Sequence, residues 1–304
     1  METLQDSFYN NKETGMPSIY THQKFGNEVM EQLPKELQDR LRLHWDVFSI
    51  GFQGPDIFFF YHPLSWGAVP QYGNQMHQKS GTEFFGRALE QYYQLPAGTK
   101  EEQRFRAAVG SYLLGVLCHY TLDSTCHKFI DEVDASGVTS HAELEGDYDR
   151  RLIAREGRNP VKENLTGQFH PSWEAARAIA VLYPEMSAKI VKTALSSCVA
   201  LQTLLRCPRD GKRNFLYGAL KLLGKYDSFQ PHIMNKEPDP ACQEAEDHLD
   251  ELYAKALPRA VRLVTEMAKR LTADSRECSL DECCSYVATE DYVRNFGGVI
   301  PEEG

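Results

Sequence analysis

Residues 117–129 read LCHYTLDSTCHKF, inside the longer proline-free run AAVGSYLLGVLCHYTLDSTCHKFI at 107–130. The middle of the run is apolar nearly all round, the pattern of a helix buried on most sides. Upstream, Thr99 and Glu102 have the spacing of a capping box, which starts the helix. His119, Asp123 and His127 stand four residues apart within it. Each step of four advances about 40° around a helix and about 6 Å along it, so the three form one stripe roughly 12 Å long. Burying such groups without partners costs several kcal/mol, so something must compensate them. A single metal ion would not readily take all three. Two or more ions in a row could, with Asp123 between them, because a carboxylate has two oxygens and an imidazole normally ligates one ion.

Further ligand types surround the stripe. SHAELEGDYDRR places His141 and Glu145 on one face of a second helix. GNQMHQKSG offers His77, GFQGPDIFFFYHP offers Asp56 after a Gly-Pro turn, and SIYTHQKFG offers His22. The inventory is five histidines and three carboxylates within residues 22–145. Mixed imidazole and carboxylate ligands suit zinc, with other divalent transition metals also compatible. Each piece has an ordinary reading. A lone buried histidine is usually a hydrogen-bonded core residue. His141 with Glu145 is a common surface pair, and an aspartate after Gly-Pro usually serves a turn. The joint pattern is what points to a metal cluster. His44, His62, His170, His232 and His248 have no comparable arrangement and read as ordinary residues, while Cys118 and Cys126 read as small core residues off the stripe.

The chain's 304 residues, 42% of them hydrophobic, can bury a sizeable core. A net charge of −10 speaks against nucleic-acid binding or anionic-membrane adhesion through a generally basic surface, though it leaves room for a local basic cleft. No apolar run long enough to span a membrane is evident. METLQDSFYNNKETG lacks the apolar core of a signal peptide, so a cytoplasmic location is expected. Eight scattered cysteines without a C-x-x-C pair read as reduced thiols.

Helical patterns cover about 22–32, 35–48, 75–93, 99–130, 140–156, 171–182, 185–206, 212–225 and 240–272, with almost no strand signal. The fold class is therefore all-α. The expected organisation is a disordered extension over 1–15 and a single multi-helix domain over 16–304, with mixed signals after about residue 273. The aromatic run DIFFFYHPLSW beyond Asp56 reads first as core packing and second as a cleft wall for acyl chains or bases.

The ordered set His22, Asp56, His77, His119-x3-Asp123, His127, His141-x3-Glu145 resembles the zinc-dependent phospholipase C family. Single-strand-specific zinc nucleases share that all-helical fold. The motifs cover roughly residues 16–150, and MPSIYTHQKFG, GPDIFFFYHP and CHYTLDSTCH are most similar to a bacterial branch. The resemblance implies two or three zinc ions. His77, His119 and Asp123 would hold one, and His127, His141 and Glu145 a second. His22 and Asp123 would hold a third together with the chain's N-terminal residue. Asp56 would be a general base, as in the phospholipases, or a ligand, as in the nucleases. The implied chemistry is hydrolysis of a phospholipid or other phosphodiester by metal-activated water, with transient membrane-surface contact and no obligate protein partner. A single-strand nuclease and a non-catalytic helical protein with structural metals are the alternatives. The first would need a basic aromatic groove and the second closed four-ligand sites.

Two features depart from the family. Three residues separate Asp123 from His127, fewer than in the secreted phospholipases, and no secretory signal precedes the motif. Met16 precedes Pro17, and His22 lies five residues beyond Pro17, the offset of the N-terminal ligand in the zinc nucleases. Initiation at Met16 and loss of that methionine would expose the Pro17 amine as a ligand.

Overall fold

The computed structural model describes residues 18–64, 67–272 and 279–301. In chain order its helices are α1 (Tyr20–Gln32), α2 (Lys35–Arg42), α3 (Trp45–Gly51), α4 (Ala68–Gln78), α5 (Gly81–Tyr93), α6 (Lys100–Ser136), α7 (His141–Arg155), α8 (Trp173–Ala180), α9 (Ala188–Leu205), α10 (Asp210–Leu222), α11 (Tyr226–Phe229), α12 (Gln243–Thr272) and α13 (Leu280–Tyr286). Short 3₁₀ turns add Gly54–Phe60, Pro160–Lys162 and Gln230–His232. Among the described residues there is no strand beyond one isolated bridge between Ser80 and Asn295. The all-α expectation holds.

Helix α6 is the axis of the structure. Thr99 and Glu102 form the expected reciprocal capping box, and the stretch from Ala108 to Ser124 is buried throughout. Helices α3 and α12 make its principal contacts. Against α3 the two backbones touch: a Cβ on Gly115 would sit 2.2 Å from the Phe48 carbonyl oxygen, so only glycine fits. That contact holds the 3₁₀ turn carrying Asp56 beside the middle of α6. Tyr112, Phe48, Phe52, Phe58 and Phe60 are fully buried there, each contributing about 1.5–3 kcal/mol of burial.

Several boundaries differ from expectation. The helix expected over 35–48 breaks at Leu43 and His44, where N–H groups bond carbonyls three residues back and His44 (φ −129°) leaves helical geometry. The helix expected over 75–93 begins earlier, at Ala68, and breaks before Ser80, whose hydroxyl accepts the Glu83 N–H at 3.1 Å and starts α5. Helix α6 runs to Ser136 rather than stopping near 130. The late segment forms α13, capped by Ser279 with Glu282 and packed on α5.

Helix α9, contrary to expectation, is long and apolar enough by composition to cross a membrane. Its Val191, Leu195, Cys198 and Leu205 face the core, and it packs on α8 and the Gly54–Phe60 turn. Cys118, Cys126, Cys198, Cys207, Cys242 and Cys284 are free thiols, as expected. The expected extension over 1–15, and Met16 with Pro17, lie outside the described residues.

Candidate metal centre

All eight expected ligands converge on one region, drawn from five elements. His22 is in the first turn of α1, and Asp56 is on the Gly54–Phe60 turn. His77 ends α4. His119, Asp123 and His127 line α6, and His141 and Glu145 begin α7. His22, Asp56, His119 and Asp123 are buried, and each offers a ligand atom within 4.8 Å of the others'. His127, His141 and Glu145 form a second such group.

Asp123 joins the two. Its Oδ1 lies 3.2 Å from His22 Nε2 and 3.4 Å from His127 Nε2. Its Oδ2 lies 2.9 Å from His119 Nε2. Neither oxygen accepts a hydrogen bond, and His119 Nε2 makes none, although all three atoms are buried. Such atoms are costly to leave unsatisfied. Their convergence without hydrogen-bond alignment fits divalent cations, and imidazole plus carboxylate is a zinc donor set. In the second group, Glu145 Oε1 lies 3.6 Å from His127 Nε2 and 3.4 Å from His141 Nε2, and the two imidazole centroids are 5.2 Å apart.

The rings are oriented from behind. His119 Nδ1 lies 3.2 Å from the Phe52 carbonyl, His77 Nδ1 lies 2.7 Å from the Gly73 carbonyl, and His141 Nδ1 lies 3.2 Å from Asp131 Oδ1. A proton on Nδ1 satisfies each of these contacts, and in His119 and His141 it leaves Nε2 with a lone pair for the centre. Gly54 adopts φ +46°, and a Cβ there would sit 2.3 Å from the His119 ring, so glycine is required on both counts.

Charge is balanced within the cluster. Burial pulls the His22 pKa down, but the Asp123 carboxylate overrides it and lifts it to about 9. Burial likewise opposes His141, which Glu145 and Asp131 lift to about 10. Burial pushes Glu145 up, yet His141 and His127 hold it at about 2. Asp123 lies well below its ordinary value, burial being overcome by His119, His127 and His22. Asp123 and Glu145 are therefore ionised, and a cation would compete with protons for the imidazoles.

The grouping differs from the one the resemblance implies. His22 and Asp56, rather than His77, share the buried group with His119 and Asp123. His77 Nε2 instead lies 2.8 Å from Asp56 Oδ1, a hydrogen-bonding contact that orients this carboxylate. Of the aromatic run, Phe58 and Phe60 are core, as expected, while half-buried Phe59 lies 5.5 Å from the His77 ring.

Three neighbours had no sequence signal. Phe296 packs on the His77 and His119 rings at 5.4 and 5.8 Å. Ser18 donates its N–H to Glu145 Oε2 at 3.3 Å. His232, on the turn packed against α7, has its pKa pushed down to about 4 by burial, against the opposing influence of Glu145.

The model of the family described as zinc dependent phospholipase C matches residues 21–199, a span that includes all eight residues. No curated protein and no solved structure matches the chain.

Proposed function

The chain belongs to the zinc-dependent phospholipase C family, and from that premise we propose that it is a zinc-dependent phosphodiesterase acting on phospholipid. The observation that carries this reading is Asp123, whose two buried, unbonded oxygens face histidines of both ligand groups. Zinc, when bound, supplies a Lewis acid that lowers the pKa of water toward about 7 and offsets charge on phosphate oxygens.

The chain's own residues divide the remaining work. His127, His141 and Glu145 hold one ion. His119 and Asp123, with His22, hold the neighbouring charge. Asp56 serves as general base, its carboxylate accepting the proton of the attacking water. The His77 Nε2 contact at 2.8 Å fixes the direction of that carboxylate. Phe59 and Phe296 limit water around His77. The attack needs no serine or cysteine nucleophile, and the buried Cys118 and Cys126 thiols are both pushed up in pKa by burial, away from thiolate chemistry.

The test is metal analysis of the purified protein, followed by assays with phosphatidylcholine, single-stranded DNA and a chromogenic phosphodiester. Zinc with hydrolysis of phosphatidylcholine and the chromogenic ester is expected. Zinc without turnover of any substrate would leave a structural metal protein, and preferred cleavage of DNA would make it a nuclease.

A further inference from the structure

Helix α10 presents an apolar face that nothing covers among the described residues. Phe215 is 78% exposed, Leu222 89% and Leu223 67%. Phe215 and Leu222 are seven residues apart and share a helix face. The opposite face anchors the helix. Leu216 and Leu220 are buried there, and buried Arg213 donates to the Met234 carbonyl at 2.7 Å. Lys212 binds the Arg206 carbonyl at 2.8 Å, closing the end of α9. The exposed side chains are therefore held outward by a well-seated helix.

Charge reverses over the same segment. The whole chain carries −10, yet residues 204–225 hold, besides the buried Arg213, the cations Arg206, Arg209, Lys212, Lys221 and Lys225 against one acid, Asp210. That acid is already paired with Lys236. Exposed phenyl and isobutyl groups flanked by cations match the boundary of an anionic bilayer, with apolar tips among acyl chains and ammonium groups beside phosphates. The segment then leads to the turn Gln230–His232, which packs on α7, the helix of His141 and Glu145.

We propose that the exposed Phe215–Leu222 face of α10, with Leu223 just beyond its end, docks the protein on anionic phospholipid membranes. This deepens the phospholipase reading and rests on it for its purpose, but the binding is measurable without turnover. A chain acidic overall would otherwise be repelled from such a surface, so a local patch of opposite sign is what adhesion requires.

The experiment is co-sedimentation with vesicles of phosphatidylglycerol and phosphatidylcholine, and of phosphatidylcholine alone. The proteins are the full chain, Phe215→Ser/Leu222→Ser and Lys221→Glu/Lys225→Glu. Binding should favour the anionic vesicles and weaken with salt. The serine pair should lose affinity by about a hundredfold, from two apolar side chains no longer buried. The glutamate pair should lose about tenfold or more. Both variants should keep the wild-type Tm and wild-type turnover of the soluble chromogenic ester. Wild-type protein that ignores anionic vesicles, or serine variants that bind them equally well, would overturn the proposal. So would a wild-type dimer that the serine pair dissociates, since that face would then bind a second copy. Absence of ester turnover with variant-sensitive vesicle binding would defeat the hydrolase reading and keep the docking face.

Discussion

Asp149 Oδ1 accepts the backbone N–H of Thr21 at 2.8 Å, one residue before His22. The same carboxylate accepts the Tyr20 N–H at 3.0 Å, the Ile19 N–H at 3.3 Å and the Ser18 and Thr21 hydroxyls. Helix α1 has no side-chain cap of its own. An acid one turn beyond Glu145 on α7 does that job across the fold, where an anion also suits the helix dipole. The histidine of one ligand group is thus registered on the helix that supplies the other.

Asp149→Ala should lower stability by about 2–4 kcal/mol, because several buried donors lose a charged acceptor together. Bound zinc should also fall as His22 loses its register. Urea unfolding and metal analysis check both. Unchanged zinc with reduced stability would limit Asp149 to capping.

The stripe on α6 was legible because polar residues at a spacing of four stand out in an apolar helix. Thr99 with Glu102 was equally legible, since a capping box is a local signal. Ser80 with Glu83 has the same spacing, but it lies within a continuous helical pattern that masks the break. The break at His44 involves neither proline nor glycine, so the local sequence contains no breaker. Asp149, Phe296 and His232 reach the site only through long-range packing, which no periodicity records. The grouping of His22 and Asp56 with His119 likewise depends on how α1 and the Gly54–Phe60 turn dock against α6.

Asp56→Asn should cut kcat by about 10²–10⁴-fold, the usual contribution of a general base. Zinc content should stay close to wild type. His77→Gln should also lower kcat, by a smaller factor, through loss of the 2.8 Å contact that orients Asp56. Loss of zinc in Asp56→Asn would make that carboxylate a ligand instead.

Chelation should lower Tm, and zinc should restore it. Ligand held at a thousandfold excess over its Kd stabilises by about 4 kcal/mol. Asp123→Ala should abolish most of this response, because Asp123 faces His22, His119 and His127 together. Calorimetric scans with and without zinc measure it. A zinc-dependent shift undiminished in Asp123→Ala would remove that residue from the centre.

A final prediction concerns pH and lies away from the metal ligands. Asp250 on α12 accepts two 2.7 Å hydrogen bonds from Arg155 and one of 2.8 Å from Arg151, with the Tyr148 hydroxyl at 3.1 Å. These contacts tie α12 to α7. Burial pulls the carboxyl up, but Arg155, Tyr148 and Arg151 outweigh it and hold Asp250 below its ordinary value. The unfolded chain therefore takes up this proton at a higher pH than the folded one. Stability from Asp250 is complete above the ordinary aspartate pKa of about 4 and is lost as pH falls through the depressed folded value. Solvent reaches 29% of the side chain, so screening reduces its worth. Asp250→Asn should cost about 1–2 kcal/mol at pH 7. The difference from wild type should shrink toward pH 3, with chelator present in both samples so that zinc release does not intrude. Urea unfolding at pH 7, 5 and 3 measures it, and a difference constant across that range would show that the contribution of Asp250 does not depend on its charge.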